Sequence, residues 1–257
     1  MNLSVGLITY NEAFDLPRTL SAIKDIADEI VIVDNGSVDD TLEIAKSFGA
    51  KVFHEEWKGF GRQKNSVIEK CQGKWILLID ADEVVTLQLK EKIKKHITAK
   101  ESKKVYKIRF QTFCFGSRIR FGGWNNYYRI RLFMKNAGKY NDSEIHEKFI
   151  TVYPVGKIKQ SIYHYTYRSK KEYKEKMTQY AAKMAETYFK KRKQKSKFGA
   201  LLSALFAFVK MYVLQFGFLD GKNGFILANG HFHYTYHKYK IANKNLKAAP
   251  YLYHNQY

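Results

Sequence analysis

Four short runs of apolar, mostly β-branched residues recur within the first hundred positions of the chain. Unbroken apolar runs of this length are typical of parallel strands that are covered on both faces. The runs cover residues 3–9, 30–34, 51–54 and 75–80. Helical spacing lies between them, and the alternating order predicts a doubly wound α/β domain with right-handed crossovers. Four helices are predicted. The first starts near Asp15 and Pro17, the second has Ser37 as its N-cap, and the other two cover 62–71 and 86–97.

The pattern changes near residue 100. Apolar and polar residues alternate from there, as in antiparallel strands with one exposed face. The alternation places Arg129 and Arg131 on one face of their strand, where both can meet phosphate. The additional predicted strands cover 106–111, 129–134, 149–153 and 157–163, and helical patterns follow from residue 170. We therefore predict one domain over 1–165 and a helical C-terminal segment over 166–257.

The chain is strongly basic. Its 45 Lys and Arg against 24 Asp and Glu give a formal net charge of +21 and a pI near 9.7. Such a charge predicts partners that carry negative charge, namely nucleic acid, anionic lipid head groups or phosphorylated substrates. The excess is concentrated over residues 168–197, which hold twelve basic residues and three acidic ones. Hydrophobic residues make up 45% of the chain, which excludes a wholly disordered protein.

Polar residues directly follow the first, second and fourth apolar runs. Because ligands of open α/β sheets bind beyond the carboxyl ends of the strands, these segments are expected to meet at one site. They are Thr9-Tyr10-Asn11-Glu12, Asp34-Asn35-Gly36-Ser37 and Asp80-Ala81-Asp82-Glu83. The carboxylates of Asp80 and Asp82 can both turn toward one hard cation where their strand ends, Mg²⁺ or Mn²⁺. Such a cation would neutralise the charge that builds up on a leaving diphosphate.

These three segments, in this order and spacing, resemble the family 2 inverting glycosyltransferases. Later segments resemble the subgroup of bacterial lipopolysaccharide-core β-1,4-glucosyltransferases, namely 59–65, 131–133, 141–147 and 218–222. The resemblance implies the GT-A fold, with a nucleotide-sugar-binding half over 1–100 and an acceptor-side half over 101–165. It also implies transfer of a hexose, glucose from UDP-glucose, onto an inner-core sugar of a lipopolysaccharide or lipooligosaccharide precursor.

The resemblance also implies a donor site at these strand ends. Asp34 would accept a hydrogen bond from the uracil N–H, with capping of its own turn as the alternative role. Tyr10 offers a flat apolar face for stacking, while Thr9 and Glu12 would line the base and the ribose. The helix start over 62–65 follows a Gly-x-Gly turn, where free N–H groups and positive charge suit a diphosphate. The implied donor set is Thr9, Tyr10, Asn11, Glu12, Asp34, Arg62, Gln63, Asn65, Asp80, Ala81, Asp82 and Arg131.

An inverting transfer requires a carboxylate that takes the proton of the acceptor hydroxyl. Glu147 is the first choice, and Asp142 and Glu144 remain alternatives because a sequence gives no geometry. His146 would orient the acceptor or donate to a phosphate. Trp124 would form an apolar platform for a sugar ring or pack in the core. The catalytic candidates are Glu147, Asp82 and His146, and the acceptor-side candidates are Trp124 and Glu144.

Residues 198–219 are strongly apolar and follow a basic run at 190–193. Their length approaches the ~20 residues of a membrane span, but Lys210 interrupts them. Three placements are open: a helix in the membrane interface, a helix packed on the catalytic domain, and a true span. The neighbouring basic residues favour peripheral binding to an anionic membrane surface. Because the N-terminus lacks the pattern of a signal peptide, we expect a cytoplasmic protein, peripheral on the inner face of the cytoplasmic membrane.

Two other functions fit part of the pattern. A glycosyltransferase with another acceptor, such as a polyisoprenyl phosphate, a capsule oligosaccharide or a peptide, would carry the same donor motifs. A basic nucleic-acid-binding module fits the net charge of +21. Such a module has no use for Asp80 and Asp82 in its groove, so we expect no nucleic-acid partner.

Overall fold

The computed structural model describes residues 1–100, 102–124, 127–142, 147–190 and 195–253. The chain divides into two compact units. The first consists of Met1–Gln111 and Asn126–His164, and the second of Thr112–Asn125 and Tyr165–Tyr257. The domain over 1–165 and the segment over 166–257 stay predictions, and the sequence pattern gave no sign that 112–125 would group with the residues after 164.

The first hundred residues of the first unit alternate between strands and helices as far as the fourth strand. Every residue of the second and fourth strands is buried, including the acidic residues Glu29 and Asp34 at the two ends of the second. The elements are β1 (Leu3–Thr9), α1 (Leu16–Ser21), β2 (Glu29–Asp34), α2 (Thr41–Ser47), β3 (Lys51–His54), α3 (Phe60–Lys70), β4 (Trp75–Leu78), β5 (Glu83–Val85) and α4 (Leu87–Thr98). Strands β3, β2, β1 and β4 are parallel neighbours in that order.

Antiparallel strands extend this parallel sheet. They are β6 (Val105–Cys114), β7 (Ser117–Arg118), β8 (Tyr128–Met134) and β11 (Val155–Tyr167), while β9 (Lys139–Tyr140) pairs with β10 (Phe149–Ile150) apart from the main sheet. Among the described residues the main sheet has the order β3-β2-β1-β4-β8-β6-β11-β5, with β7 beside β6. The predicted fold class, a doubly wound GT-A sheet with an antiparallel extension, is confirmed. The strand predicted over 149–153 is shorter, because it ends at Ile150.

The second unit is mainly helical, as the sequence predicts. Its helices are α5 (Lys170–Lys190), α6 (Lys197–Val209) and α7 (Gly221–Tyr253), and a π-helical turn (Lys210–Leu214) and a 3-10 turn (Gly217–Asp220) connect α6 to α7. Tyr173 lies at the centre of this unit, fully buried, and its hydroxyl donates to the Leu227 carbonyl at 2.8 Å. Cys114, Ile119, Tyr167, Met211 and Ala228 complete its core.

Helix α3 lies against the chain that precedes β10 because Gly61 has no side chain. A Cβ atom at Gly61 would be 1.9 Å from the Asn141 carbonyl oxygen. Asn65, one turn further along α3, bonds twice to the main chain of Tyr140. Its Oδ1 accepts from the Tyr140 N–H at 2.8 Å, and its Nδ2 donates to the Tyr140 carbonyl at 2.9 Å. These contacts hold Tyr140 and Asn141 beside α3.

Candidate active site

The order of the parallel strands creates a crevice at one edge of the sheet. The chain passes from β1 to β2 and β3 on one side, and then places β4 on the other side of β1. A switch point of this kind leaves space for a ligand beyond the carboxyl ends of the two central strands. The three polar segments predicted from the sequence follow β1, β2 and β4, so the fold brings them to this edge.

Asp34, the last residue of β2, organises the loop that follows. Its carboxylate is fully buried and accepts hydrogen bonds from Thr9 Oγ1, Gly36 N, Ser37 N and Ser37 Oγ, at 2.8, 2.9, 2.8 and 2.6 Å. Four donors fill the accepting capacity of a carboxylate. The structure thus shows the alternative role of Asp34 in its own turn, and a contact with uracil stays a prediction.

Ser37 does not cap α2, so this prediction is wrong. Its hydroxyl is used within the loop, because it donates to Asp34 and accepts from the Asn11 N–H at 2.8 Å. Asp40 takes the N-cap position of α2 instead. Asn11 has a φ of 54°, in the left-handed region that asparagine tolerates better than most residues.

The loop after β1 is tied to the loop after β2 by further bonds. Asn11 Oδ1 accepts from Val38 N at 2.9 Å, and Glu12 N donates to Thr41 Oγ1 at 2.8 Å. Tyr10, directly before these anchored positions, is 56% exposed. Its ring is therefore accessible as the stacking surface that the sequence predicts.

The Asp80–Glu83 segment forms a tight turn after β4. Glu83 N donates to the Asp80 carbonyl at 3.0 Å, and Asp80 N donates to Glu83 Oε2 at 3.2 Å. Thr19 of α1 donates its hydroxyl to the Ala81 carbonyl at 2.6 Å. These bonds occupy the Ala81 carbonyl and leave Asp80 and Asp82 as the half-exposed carboxylates of the turn.

Arg131 on β8 supplies the positive charge beneath this turn. Its Nη2 is 2.6 Å from Asp80 Oδ2 and 2.5 Å from Glu83 Oε1. The side chains of Arg131 and Glu83 are 3% and 1% exposed, so this is a buried charge cluster. The predicted phosphate contact of Arg131 stays untested, because in this structure the guanidinium pairs with protein carboxylates.

A change of register in β8 explains why Arg131 is buried. Tyr106 pairs with Leu132 but Lys107 pairs with Ile130, so Arg131 is an extra residue opposite β6. Such a bulge redirects side chains and ends strict alternation. Arg129 is exposed, whereas Arg131 is buried. The expectation that both arginines share one phosphate-facing surface is therefore not met.

Charge and burial shift the pKa values of these carboxyl groups in opposite directions. Burial would raise the pKa of Asp80, but the neighbouring Arg131 and Lys64 outweigh it and hold the pKa well below its usual range. Burial raises the pKa of Glu83 to about 7, against the opposing effect of Arg131. Asp80 is therefore the firmly ionised member of the pair.

His164 lies beside Asp82, a contact that the sequence analysis missed. His164 Nε2 is 3.2 Å from Asp82 Oδ2, and its Nδ1 is 2.9 Å from the Tyr127 hydroxyl, which orients the ring. Burial would lower the pKa of His164, but Asp82 outweighs it and raises the pKa to about 10. The histidine is 82 residues after Asp82 and has no spacing signal, so the sequence alone could not reveal the pair.

Asp82, Glu83 and His164 form a group with the chemistry of a cation site. One ligand atom from each lies within 4.8 Å of the other two. Carboxylate and imidazole donors suit Mn²⁺, and the carboxylates suit Mg²⁺. A ligand histidine must be neutral, so binding of a cation would release the proton that His164 shares with Asp82. With that proton lost, the residues fit the implied cation, with Asp82 and His164 as its accessible ligands. The role of Asp80 as a direct ligand stays a prediction, since it pairs with Arg131 and Lys64.

Glu147 is connected to this turn through Lys64. The Lys64 ammonium is 2.7 Å from Glu147 Oε1 and 3.5 Å from Asp80 Oδ1. The Lys64 and Glu147 side chains are 4% and 12% exposed. The structure thus places the preferred candidate base beside the acidic turn, although Glu147 and Asp80 are far apart in the chain.

Other predicted residues have different surroundings. Arg62 and Asp142 are both exposed, and their charged groups are 3.7 Å apart. Gln63 is fully buried and its Oε1 accepts from Lys58 N at 3.3 Å. Asn65 anchors the Tyr140 main chain. Donor contacts of these residues stay predictions.

Trp124 belongs to the second unit, where it packs beside Tyr167 with ring centroids 6.0 Å apart. This is the core-packing role that the sequence left open beside the sugar-platform role. His146 and Glu144 lie outside the described residues.

A GT-A sheet with an acidic turn at its switch point is the arrangement expected of a glycosyltransferase. The chain belongs to the glycosyl transferase family 2, whose sequence model matches residues 4–199. An uncharacterized glycosyltransferase of Rickettsia prowazekii is 30% identical over 237 residues, with coverage of 87% of this chain and 80% of that protein. A similar protein of Rickettsia typhi is 31% identical over 241 residues, with the same coverage of 87% and 80%.

Two solved structures show weaker similarity. The TarS protein of S. aureus has 16% identity and a TM-score of 0.44, with coverage of 97% of this chain and 91% of that chain. Glucosyl-3-phosphoglycerate synthase from Mycobacterium tuberculosis, in complex with Mn²⁺, UDP and glucosyl-3-phosphoglycerate, has 21% identity and a TM-score of 0.38. This match covers 42% of this chain and 44% of that chain. The family assignment rests on the sequence model and the Rickettsia relatives.

Replacement of Arg131 by Met should lower the free energy of unfolding by ~3 kcal/mol, because it leaves two carboxyl groups near each other without their buried counter-charge. Urea unfolding of the purified variant measures this loss. Arg129→Met on the same strand is the matched control and should change stability by less than ~0.5 kcal/mol, since Arg129 is exposed. Adding Glu83→Gln to Arg131→Met should restore part of the loss. Strictly additive effects would show that the two side chains are not coupled.

Proposed function

We propose that this family 2 enzyme transfers a hexose, glucose from UDP-glucose, with inversion onto an inner-core sugar of a lipopolysaccharide or lipooligosaccharide precursor. The observation that carries the proposal is that His164 and Glu147 both lie beside the acidic turn after β4, which contains Asp82. A cation site and a separate carboxylate beside it are what a metal-dependent inverting transfer requires. The sequence resemblance to lipopolysaccharide-core enzymes supports the choice of donor and acceptor.

The donor diphosphate is expected at the crevice beyond β1 and β4. Asp82 and His164 would hold a divalent cation there, with Asp80 and Glu83 in the same turn. When bound, Mg²⁺ or Mn²⁺ supplies positive charge that stabilises the departing diphosphate. Tyr10 would present its exposed ring to the uracil base, and the hydrogen bonds of Asn11 to Ser37 and Val38 hold the backbone next to Tyr10.

Glu147 is the proposed base. It would accept the proton of the acceptor hydroxyl as the oxygen of that hydroxyl attacks the anomeric carbon. Its ion pair with Lys64 orients the carboxylate and holds it next to the turn that carries the donor site. Because Lys64 is buried and bonded to both carboxylates, it sets the spacing between the base and the acidic turn.

The donor and acceptor can be identified by a screen of UDP-sugars. The proposal predicts that UDP-glucose gives manganese-dependent UDP release, and that an inner-core acceptor increases its rate. Release from UDP-glucose with a polyisoprenyl phosphate, capsule oligosaccharide or peptide, but not with a core acceptor, would support the other acceptor classes. Salt-sensitive RNA binding without donor turnover would contradict an enzyme of this kind.

The cation site is tested by Mn²⁺ binding measured directly, by titration calorimetry without substrate. Asp82→Asn and His164→Gln should each weaken binding by at least about tenfold, because each removes a ligand. Glu69→Gln, at an exposed position on α3, is the control and should bind Mn²⁺ as the unmodified protein does. Asp80→Ala and Asp82→Ala should abolish metal-dependent turnover in a folded protein. Full activity in either would end the metal assignment of that residue.

Glu147→Gln should lower kcat by about 100-fold or more, because the amide cannot accept the proton, while donor affinity changes little. Transfer kinetics and UDP binding measure the two effects separately. The control is Asp142→Asn, an exposed carboxylate in the same segment, which should retain its rate. If Glu144→Gln reduces kcat and Glu147→Gln does not, Glu147 is not the base.

A further inference from the structure

Helix α6 exposes its large apolar side chains and buries its small ones. Phe198, Leu201, Leu202, Leu205 and Phe206 are 45–69% exposed, and they follow one another at the spacing of a single helix face. The buried residues of the helix are Ala200 and Ala204. A helix in water normally has the opposite arrangement, so this face lacks the cover that its composition requires.

The exposed apolar surface continues into the connection between α6 and α7. Phe216 meets Phe218 and Tyr212 meets Phe225 in edge-to-face pairs, with ring centroids 6.2 and 5.8 Å apart. We call α6, this connection and the first turns of α7 the apolar face. Its exposed members are Phe198, Leu201, Leu202, Leu205, Phe206, Val213, Leu214, Phe216, Phe218, Leu219 and Phe225.

The connection is closely packed, so the exposure is built into the fold. Phe216 has a φ of 57°, in the left-handed region, and Gly217 follows it. A Cβ on Gly224 would be 1.8 Å from the Gly217 carbonyl oxygen, and one on Gly217 would be 2.6 Å from the Met211 carbonyl oxygen. The backbone therefore cannot turn Phe216 and Phe218 inward without losing these contacts.

The charges around the apolar face indicate what covers it. Residues 187–257 contain twelve Lys and Arg but one acidic residue, Asp220. The Asp220 carboxylate accepts hydrogen bonds from the main-chain N–H groups of Arg120 and Phe121 at 2.8–3.1 Å. Lys197, Lys210 and other exposed lysines next to the apolar side chains therefore have no further acidic residue in this stretch of sequence to neutralise them, and they complement a negatively charged surface.

The packing of α6 determines how it can meet such a surface. By length and composition, Lys197–Leu214 could cross a membrane, and 17% of it is buried. However, α6 runs along α7: the Lys195 carbonyl accepts from Asn243 at 2.6 Å, and Phe208 lies 5.9 Å from Phe225. A crossing α6 would carry the lysines of α7 into the hydrocarbon or leave α7 behind, and both are costly.

We propose that the apolar face lies in the headgroup region of an anionic phospholipid bilayer, with α6 parallel to the membrane plane. The apolar side chains enter the acyl boundary, and Lys197, Lys210 and Lys222 stay at the level of the phosphates. Membrane binding of this kind does not depend on the donor and acceptor proposed above. It would hold the enzyme where a lipid-linked acceptor is found.

The test is flotation of the purified chain with vesicles of phosphatidylcholine alone and of phosphatidylcholine mixed with phosphatidylglycerol. The unmodified protein should float with the mixed vesicles, and less of it should do so as salt is raised, because salt screens the lysines. The double variant Leu205→Gln/Phe206→Gln should bind the mixed vesicles at least about tenfold more weakly, because it removes apolar side chains without changing charge. The control, Val152→Gln in the first unit, alters a side chain that is 94% exposed and should bind normally.

Both residues of the double variant are exposed, so its thermal unfolding should match that of the unmodified protein. The variant Lys197→Gln/Lys210→Gln provides a second test, since it should lower binding to the mixed vesicles and leave binding to phosphatidylcholine unchanged. Equal flotation of the Leu205→Gln/Phe206→Gln variant and the unmodified protein would overturn the proposal. Two other results would also overturn it. One is retention of the protein in the membrane after alkaline carbonate extraction, which indicates a span. The other is an unmodified protein that self-associates and does not bind vesicles, and that the Leu205→Gln/Phe206→Gln substitutions convert to a monomer.

Discussion

The ion pairs of Arg131 with Asp80 and Glu83 are the interaction on which the acidic turn depends. Burying Glu83 and crowding it against Asp80 at the end of β4 would be costly without a compensating charge. The β-bulge in β8 points Arg131 beneath the turn, so the guanidinium neutralises Asp80 and Glu83 from inside the sheet. Asp82 remains at the outer side of the turn, where it faces His164. The fold thus separates a carboxylate that is fixed by the protein from one that is accessible to a ligand.

The same separation applies to the rest of the site. Asp34 and Asn65 are fully engaged in holding loops together, whereas Tyr10 and Arg62 are exposed. Lys64 joins Glu147 to Asp80, so that the positions of the candidate base and the acidic turn are not independent. A rigid arrangement of this kind lowers the reorganisation that a transferase must undergo when its substrates bind. Family 2 membership and this arrangement lead to the same reaction class.

Much of the fold could be predicted from the sequence, because buried parallel strands produce apolar runs and polar residues at their ends indicate a site. Asp80 and Asp82 were predicted for this reason, whereas Glu147 was predicted from the family resemblance and the need for a carboxylate base. The roles of Ser37, Arg131 and His164 could not be predicted. Ser37 bonds to a carboxylate three residues earlier instead of capping a helix, the bulge at Arg131 breaks the alternation of β8, and His164 meets Asp82 through the pairing of β11 with β5. The apolar run at 198–219 left an interfacial helix, a packed helix and a span open, and its composition alone could not show that the large side chains of α6 face outward.

The two units carry different chemistry: the first unit contains the acidic site, and the second unit contains the basic and apolar surface proposed to meet a membrane. The assignment of the reaction stands or falls with the cation position in the first unit. Anomalous diffraction from Mn²⁺ in crystals grown with UDP would locate that position. We expect a manganese peak within about 2.0–2.4 Å of an Asp82 carboxylate oxygen and of His164 Nε2, with the diphosphate beside it. A peak elsewhere, or UDP bound while His164 remains paired with Asp82 and no manganese is present, would contradict the assignment.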